Sequence, residues 1–312
     1  MHTAEIKKWW PGSQPVKIKK YRGGAVNESY RVDTRDGTSI LRIYRRKPLQ
    51  QIKADIALLD YIKTLPVPNI MTYNGKMIFR IDGKYAIIYQ YIPGRNLKIF
   101  NRRQLFQVGE FLAKFHAQGG GFRFSGAREK FYDFPTVKIK RVYNFCLAKK
   151  TPRPALLLQI KEEILDHQVS SKLPTGPIHV DVKPSNVLFE KGNLSGVIDF
   201  DNAYVGPWLL DLAKSMVWFG AQGKDFNIRT AREVYNGYVA NRSLSPREQG
   251  ELYQVVGFAF LSHIFMDFYM YVNGRTSKKY FDFITTNFYQ VYQDFKKISP
   301  SHFYQLFNTY DR

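Results

Sequence analysis

The chain has 312 residues, 44% of them apolar and 16% aromatic, which argues against a disordered protein and suffices for one large core or two smaller ones. Lys and Arg number 47 against 26 Asp and Glu, and the resulting net charge of +21 favours anionic partners such as nucleotides, phosphorylated metabolites or carboxylates. A single cysteine, Cys146, excludes an intramolecular disulfide and speaks against a cysteine-based zinc site.

The N-terminal "MHTAEIKKWWPGSQ" lacks the apolar stretch of a secretory signal, so a cytoplasmic setting is expected. The next eighty residues read as strands. "VKIKKYRGG" and "ESYRVDT" flank a glycine pair, and "TSILRIYRR" follows an Asp-Gly turn. "PLQQIKADIALLDYIKTL" carries Ile52, Ile56, Leu59 and Ile62 at helical spacing. Two further strands, "KMIFRI" and "KYAIIYQYI", are separated by Asp82-Gly83.

After Gly94 helical patterns dominate, beginning near Asn101, Pro154, Ile228, Ser245 and Lys278. Between them, "HVDVKPSNVLFEKGNLSGVIDFD" reads as a pair of short strands. The expected fold is therefore α+β and two-lobed: residues 1–91 a five-stranded antiparallel sheet with one helix, residues 92–312 mainly helical. The apolar run Val255–Val272 approaches the length of a membrane span, but His263 and Asp267 within it predict a buried helix, and no transmembrane segment is expected.

The chemistry concentrates in "HVDVKPSN", which resembles a protein-kinase catalytic loop. In that loop an Asp addresses the acceptor hydroxyl and an Asn five residues later binds magnesium, roles that fall here on Asp181 and Asn186. Thirteen residues on, Asp199 ends the apolar strand "LSGVI", where a rigid metal ligand belongs. Mg²⁺ needs only one or two such groups beside phosphate oxygens. Lys183 places a cation beside the same transfer. A protein kinase would continue with Asp-Phe-Gly and a long activation segment, but Asp199-Phe200 is followed by Asp201, and Gly206 comes only seven residues after Asp199. That leaves no room to bind a peptide substrate.

His179, Asp181, Asn186, Ile198-Asp199-Phe200 and Gly206-Pro207 through Asp211-Leu212-Ala213 together resemble the signature of the aminoglycoside phosphotransferase superfamily, small-molecule kinases with a protein-kinase-like fold. The texture around these motifs is most similar to the homoserine-kinase-like branch. The resemblance implies ATP and Mg²⁺ as cofactors and a small hydroxyl compound (a homoserine-like amino alcohol, choline or a sugar) as partner. It places Gly23, Gly24 and Asn27 in a loop over the phosphates, and Arg42 on the third strand as the phosphate-binding cation. Asp55 becomes the acidic partner of Arg42, where relatives usually have glutamate. Gln90 and Ile92 would hold adenine through their backbones, and Asp267 would lie near the acceptor. His116, at a helix end, reads as a cap or packing group, and His179 as a brace for the loop. Two other functions remain within the superfamily, a catalytically impaired pseudokinase and an aminoglycoside resistance kinase, although +21 opposes capture of a polycation. A nucleic-acid partner has only the charge in its favour and no recognition motif, so none is expected.

Overall fold

A computed structural model describes residues 3–21, 27–126 and 128–308. The chain opens with α1 (Thr3–Trp9), β1 (Lys17–Lys20), β2 (Asn27–Thr34), β3 (Gly37–Tyr44), α2 (Leu49–Tyr61), β4 (Ile78–Ile81) and β5 (Lys84–Gln90). The five strands form one antiparallel sheet in the order β1-β2-β3-β5-β4. The β4–β5 turn is the predicted Asp82-Gly83, both at positive φ (49° and 70°), as a two-residue hairpin turn requires.

Alternation along β3 sets the two faces of this sheet. Leu41 and Ile43 pack with Tyr30, Val32 and Ile88, and that face is closed by Ile6 of α1 and by Trp10, which follows it. Arg42 and Tyr44 point the other way, where Tyr44 meets Ile52 of α2. Trp10 is thus a core residue, whereas Trp9 is half-exposed.

The rest of the chain is α3 (Arg102–Gly119), α4 (Thr136–Ala148), α5 (Pro154–Asp166), β6 (Thr175–Ile178), β7 (Val187–Glu190), β8 (Asn193–Val197), β9 (Tyr204–Pro207), α6 (Trp208–Gly220), β10 (Ala221–Gln222), β11 (Asp225–Phe226), α7 (Ile228–Val239), α8 (Pro246–Val272), α9 (Lys278–Phe283), α10 (Tyr289–Phe295) and α11 (Pro300–Asn308). The α3 start has a capping box in which Asn101 and Gln104 exchange hydrogen bonds, and Ser245 with Glu248 does the same for α8. Helices α3 and α7 cross so closely that a Cβ on Gly109 would overlap the Val234 carbonyl, and one on Gly237 the Phe106 carbonyl. The apolar run of α8 is the centre of this lobe. Phe258, Leu261, Ile264, Phe265 and Phe268 are all buried against protein.

The structure departs from the sequence expectations in several places: helices α1 and α11 were not expected, and three further differences have a local cause. The helix predicted from Lys278 onward is interrupted by a π-helical turn at Ile284–Phe288. There Thr285 and Thr286 hydrogen-bond the carbonyls of Phe281 and Asp282 (2.8 and 2.6 Å), competing with the backbone ladder. Helix α4 went unpredicted because its buried stripe is only Ile139, Val142 and Cys146 among basic residues. Helix α6 is buried nearly all round and so has no amphipathic period to read.

Candidate active site

The predicted catalytic loop runs from β6 to β7. Its backbone is strained: Val180, a β-branched residue, has φ 61°, a conformation held only where the surroundings enforce it. The enforcing group is Asp211 on α6. Its Oδ2 accepts from the His179 N–H (2.8 Å) and its Oδ1 from the Val180 N–H (2.6 Å), with no exposure to solvent.

A polar chain backs this carboxylate. Arg242 donates to the Tyr238 hydroxyl (3.2 Å), which reaches His116 Nδ1 (2.7 Å), while His116 Nε2 lies 3.0 Å from Asp211 Oδ2. Burial lowers the His116 pKa, so the ring is neutral and its Nε2–H donates to Asp211. Burial alone would raise the Asp211 carboxyl, but the His116 hydrogen bond and the His179 side hold it below the ordinary carboxylate range. Of the two expected roles, cap or packing group, His116 takes the second: it is an interior packing residue that also braces Asp211. Nothing in its local sequence reveals this, because its partners lie 95 and 122 positions away. His179, expected as a loop brace, has its Nε2 3.1 Å from the Ile198 carbonyl and so ties the loop to the strand ahead of Asp199.

Asp181, thus presented, is oriented by its neighbours. Asn186 donates to the Asp181 carbonyl (2.9 Å) and to its Oδ2 (3.0 Å), and Lys183 Nζ lies 2.9 Å from Oδ1. Burial disfavours the Lys183 charge, yet Asp181 and then Asp199 raise its pKa. Asn186 spends its amide N–H on Asp181, and its oxygen accepts a long hydrogen bond from the Ser185 hydroxyl (3.4 Å), weak enough to yield to a metal. Asp199, at φ 72°, keeps its side chain 39% exposed. One carboxylate and one amide oxygen on converging loops fit an oxygen-ligated Mg²⁺ completed by phosphate and water.

The cations distribute differently from the sequence expectation. Arg42 does not pair with Asp55. It bonds Asp199 Oδ1 (2.8 Å) and Asp201 Oδ2. Burial opposes its charge, and the two aspartates outweigh it to raise the Arg42 pKa. The Asp55 carboxylate is taken instead by Lys47 and by Arg128 (2.7 Å). Aspartate is one methylene shorter than glutamate, and Lys47, just beyond the strand that carries Arg42, meets it instead. Burial raises the Asp55 pKa against both cations. Arg128 also donates to the Ala203 carbonyl (2.6 Å), linking α2 to the segment after Asp199. Asn27 donates to Asp201 Oδ2 (2.6 Å). The backbone N–H of Gln90 donates to the Asn69 carbonyl (2.8 Å) and is not open to a ligand. Ile92 packs where a side chain at Gly196 would collide with it. Gly23 and Gly24 lie outside the described residues.

Sequence reasoning missed Asp201, Lys47, Arg128 and Lys214. Asp201 was visible as the residue that replaces glycine after Phe200. The others had no signal, since a single Lys or Arg in a basic chain is unremarkable until its partner is known.

A cleft of about 520 Å³ is lined by Asp181, Lys183, Lys47, Arg128 and Asp201 together with Tyr132, His263 and Asp267. Asp267 is buried. His263 Nε2 lies 3.2 Å from its Oδ2 but is directed to the Tyr280 hydroxyl, so Oδ2 has no hydrogen-bond partner among the described residues. Burial pushes its pKa up to about 7 against Lys183 and Lys214. Lys214 sits behind Tyr132, its ammonium 3.3 Å from the ring centroid and without a hydrogen-bond partner among the described residues, and burial lowers it to about 7.

Sheet, helical lobe and catalytic loop together define a small-molecule kinase of the protein-kinase-like fold. The chain belongs to the phosphotransferase enzyme family, whose sequence pattern matches residues 17–242, and it is a phosphotransferase with an alcohol group as acceptor. It is 29% identical over 248 residues to a homoserine kinase of Caulobacter vibrioides, covering 76% of this chain and 77% of that protein. Among solved structures, it resembles an amicoumacin kinase in complex with AMP-PNP, Ca²⁺ and Ami (TM-score 0.71, 17% identity, 95% of this chain and 93% of the other). A microcompartment-associated aminopropanol kinase is similar to the same degree (TM-score 0.70, 16% identity, 93% and 94% covered).

Proposed function

We propose that the enzyme transfers the γ-phosphoryl group of ATP, with Mg²⁺, to the hydroxyl of a small amino alcohol. The observation that carries this reading is the convergence of Asp181 and Asp267 on one cleft: a carboxylate oriented by Asn186 for a hydroxyl, and a buried carboxylate oxygen with no partner for an ammonium. In this reading the acceptor oxygen attacks the γ-phosphorus as the bond to the leaving diphosphate oxygen breaks. The hydroxyl proton passes to Asp181 late in the transfer. Lys183 lies beside Asp181 to offset charge on the transferring group, and Arg42 serves the donor phosphates. Asn186 and Asp199 would hold Mg²⁺, which when bound neutralises phosphate charge. The Gln90 carbonyl and the Ile92 backbone face adenine in this scheme, with Gly23, Gly24 and Asn27 toward the phosphates.

An ADP-release assay against homoserine, 3-aminopropan-1-ol, choline, pentoses and aminoglycosides tests the class. Turnover is expected with the small amino alcohols. Turnover confined to sugars that lack an amine would refute the role of Asp267.

The cleft chemistry also sets a pH dependence. Burial pushes the Asp267 carboxyl up, and the Lys214 ammonium down, to about 7. Above that pH Asp267 is ionised and Lys214 neutral, and both changes favour a bound cation. Below it both changes oppose one. The acceptor KM is therefore expected to rise as pH falls through about 7, with saturated turnover changing less. Asp267→Asn should raise KM at neutral pH and flatten this dependence, and a KM profile identical to that of the parent enzyme would contradict the assignment.

A further inference from the structure

Helix α4 carries a surface that the reaction does not use. From Phe134 to Lys161 the chain has seven Lys and Arg and no Asp or Glu. Helices α3 and α9 pair exposed cations within a turn, Lys114 with Glu110 (2.7 Å) and Lys278 with Asp282 (2.6 Å). Helix α4 has no acid to offer. Lys138, Lys140 and Arg141 stand in its first two turns, at the positive end of the helix dipole, and Pro135 ahead of them supplies no side-chain cap.

Ile139, Val142 and Cys146 bury one face of the helix. The outward stripe is Val137, Lys140, Arg141, Asn144, Leu147 and Ala148, at i, i+3, i+4, i+7, i+10 and i+11, and all six are exposed. Lys149 and Lys150 extend it beyond the helix end. The side chains of Lys140, Arg141, Lys149 and Lys150 have no ion-pair partner among the described residues. Val137 is 79% exposed and Leu147 38%, so two apolar side chains about 15 Å apart along the axis bracket the cations of the stripe. None of these residues lines the cleft.

We infer that this stripe docks the enzyme on a bilayer rich in anionic phospholipid. An unpaired cluster of four cations matches a layer of headgroup phosphates, and Val137 and Leu147 reach into the boundary with the acyl chains. A solvated helix face has no use for the two apolar residues. A nucleic acid has none either, and the stripe carries no aromatic side chain on which a base could stack. Helix α4 packs through Phe145 on Tyr269 of α8 (ring centroids 5.5 Å apart), so docking engages the outside of the helical lobe and leaves the reacting groups untouched.

The test is flotation of the full-length enzyme with vesicles of phosphatidylglycerol and phosphatidylcholine in equal parts, beside vesicles of phosphatidylcholine alone. Binding is expected to the first and not to the second. Replacing Lys140, Arg141, Lys149 and Lys150 together by Gln should weaken the partition coefficient by about 10²- to 10³-fold, the combined effect of four cations at an anionic surface. Lys53, Lys76, Lys172 and Lys224 are also exposed, and replacing them by Gln removes the same charge from other faces. That control should lose less than about tenfold. Val137→Ser with Leu147→Ser should abolish the binding that survives in raised salt, where charge is screened. Turnover in solution should stay at the parent level in all three variants.

Equal losses in the two fourfold variants overturn the inference, because overall charge would then explain the binding. Equal binding to both vesicle types, or to neither, overturns it as well. Tighter binding to duplex DNA that depends on the same four cations would make the stripe a nucleic-acid surface and overturn it too. Should the fourfold variant melt below the parent, the pair Lys149→Gln and Lys150→Gln, outside the helix, carries the comparison with an expected loss of about 10- to 30-fold. No loss in that pair is again an overturning result.

Discussion

Asp181→Ala is expected to lower turnover by about 10²- to 10⁴-fold, the range for losing a positioned general base, while nucleotide affinity stays close to that of the wild type. The separation follows from where Asp181 is held. Its Oδ2 is fixed by Asn186 and its Oδ1 by Lys183, so one of its few solvent-facing directions opens to the acceptor side of the cleft. Asn186 and Asp199, the groups assigned to the metal, are not among the residues that line this cleft, and Asn186 keeps its second hydrogen bond, to the Asp181 carbonyl, when the side chain of Asp181 is removed. Single-turnover ADP release, read beside a nucleotide titration of the same variant, distinguishes the two effects. Undiminished turnover would remove Asp181 from the chemistry. A parallel loss of nucleotide binding would make its role one of loop integrity.

Asp211→Ala should be the most damaging single change away from the reacting groups. It strips the acceptor from the His179 and Val180 N–H groups and from the His116 ring, all of them buried. Breaking a buried, hydrogen-bonded charge cluster on one side costs about 3 to 5 kcal/mol, because the remaining donors cannot reach water. The Val180 backbone, at φ 61°, then has nothing to hold it and relaxes toward an extended conformation, carrying Asp181 with it. A lower urea midpoint together with lost turnover is expected. Asp211→Asn retains the volume but turns an N–H₂ toward donors, so it should fail on the same two measurements and rescue little. A variant with wild-type stability and turnover would show that the loop is held by something other than Asp211.

His116 illustrates why part of this network was illegible beforehand. In "LAKFHAQ" it looks like one more polar residue at a helix end. Its function exists only because α3, α6 and α7 meet, placing Tyr238 on one ring nitrogen and Asp211 on the other. Asp55 shows the opposite case. Its position was read as an acidic group on the helix after the third strand, and it is there, but its partners are Lys47 and Arg128. Ion-pair choice depends on side-chain reach to a few tenths of an ångström, and sequence spacing does not resolve that.

By itself the sequence determined the alternating strands and their Asp-Gly turn, the principal amphipathic helices, and the order of Asp181, Asn186 and Asp199 in a kinase-like loop. These are local properties, set by side-chain period, turn chemistry and short spacing. Only the tertiary structure decided which cation meets which carboxylate, why Val180 is held in a strained conformation, and that Asp267 opens onto the same cleft as Asp181. Each of those depends on groups brought together from distant parts of the chain, where burial strengthens a charge interaction and packing, not sequence, chooses the partner.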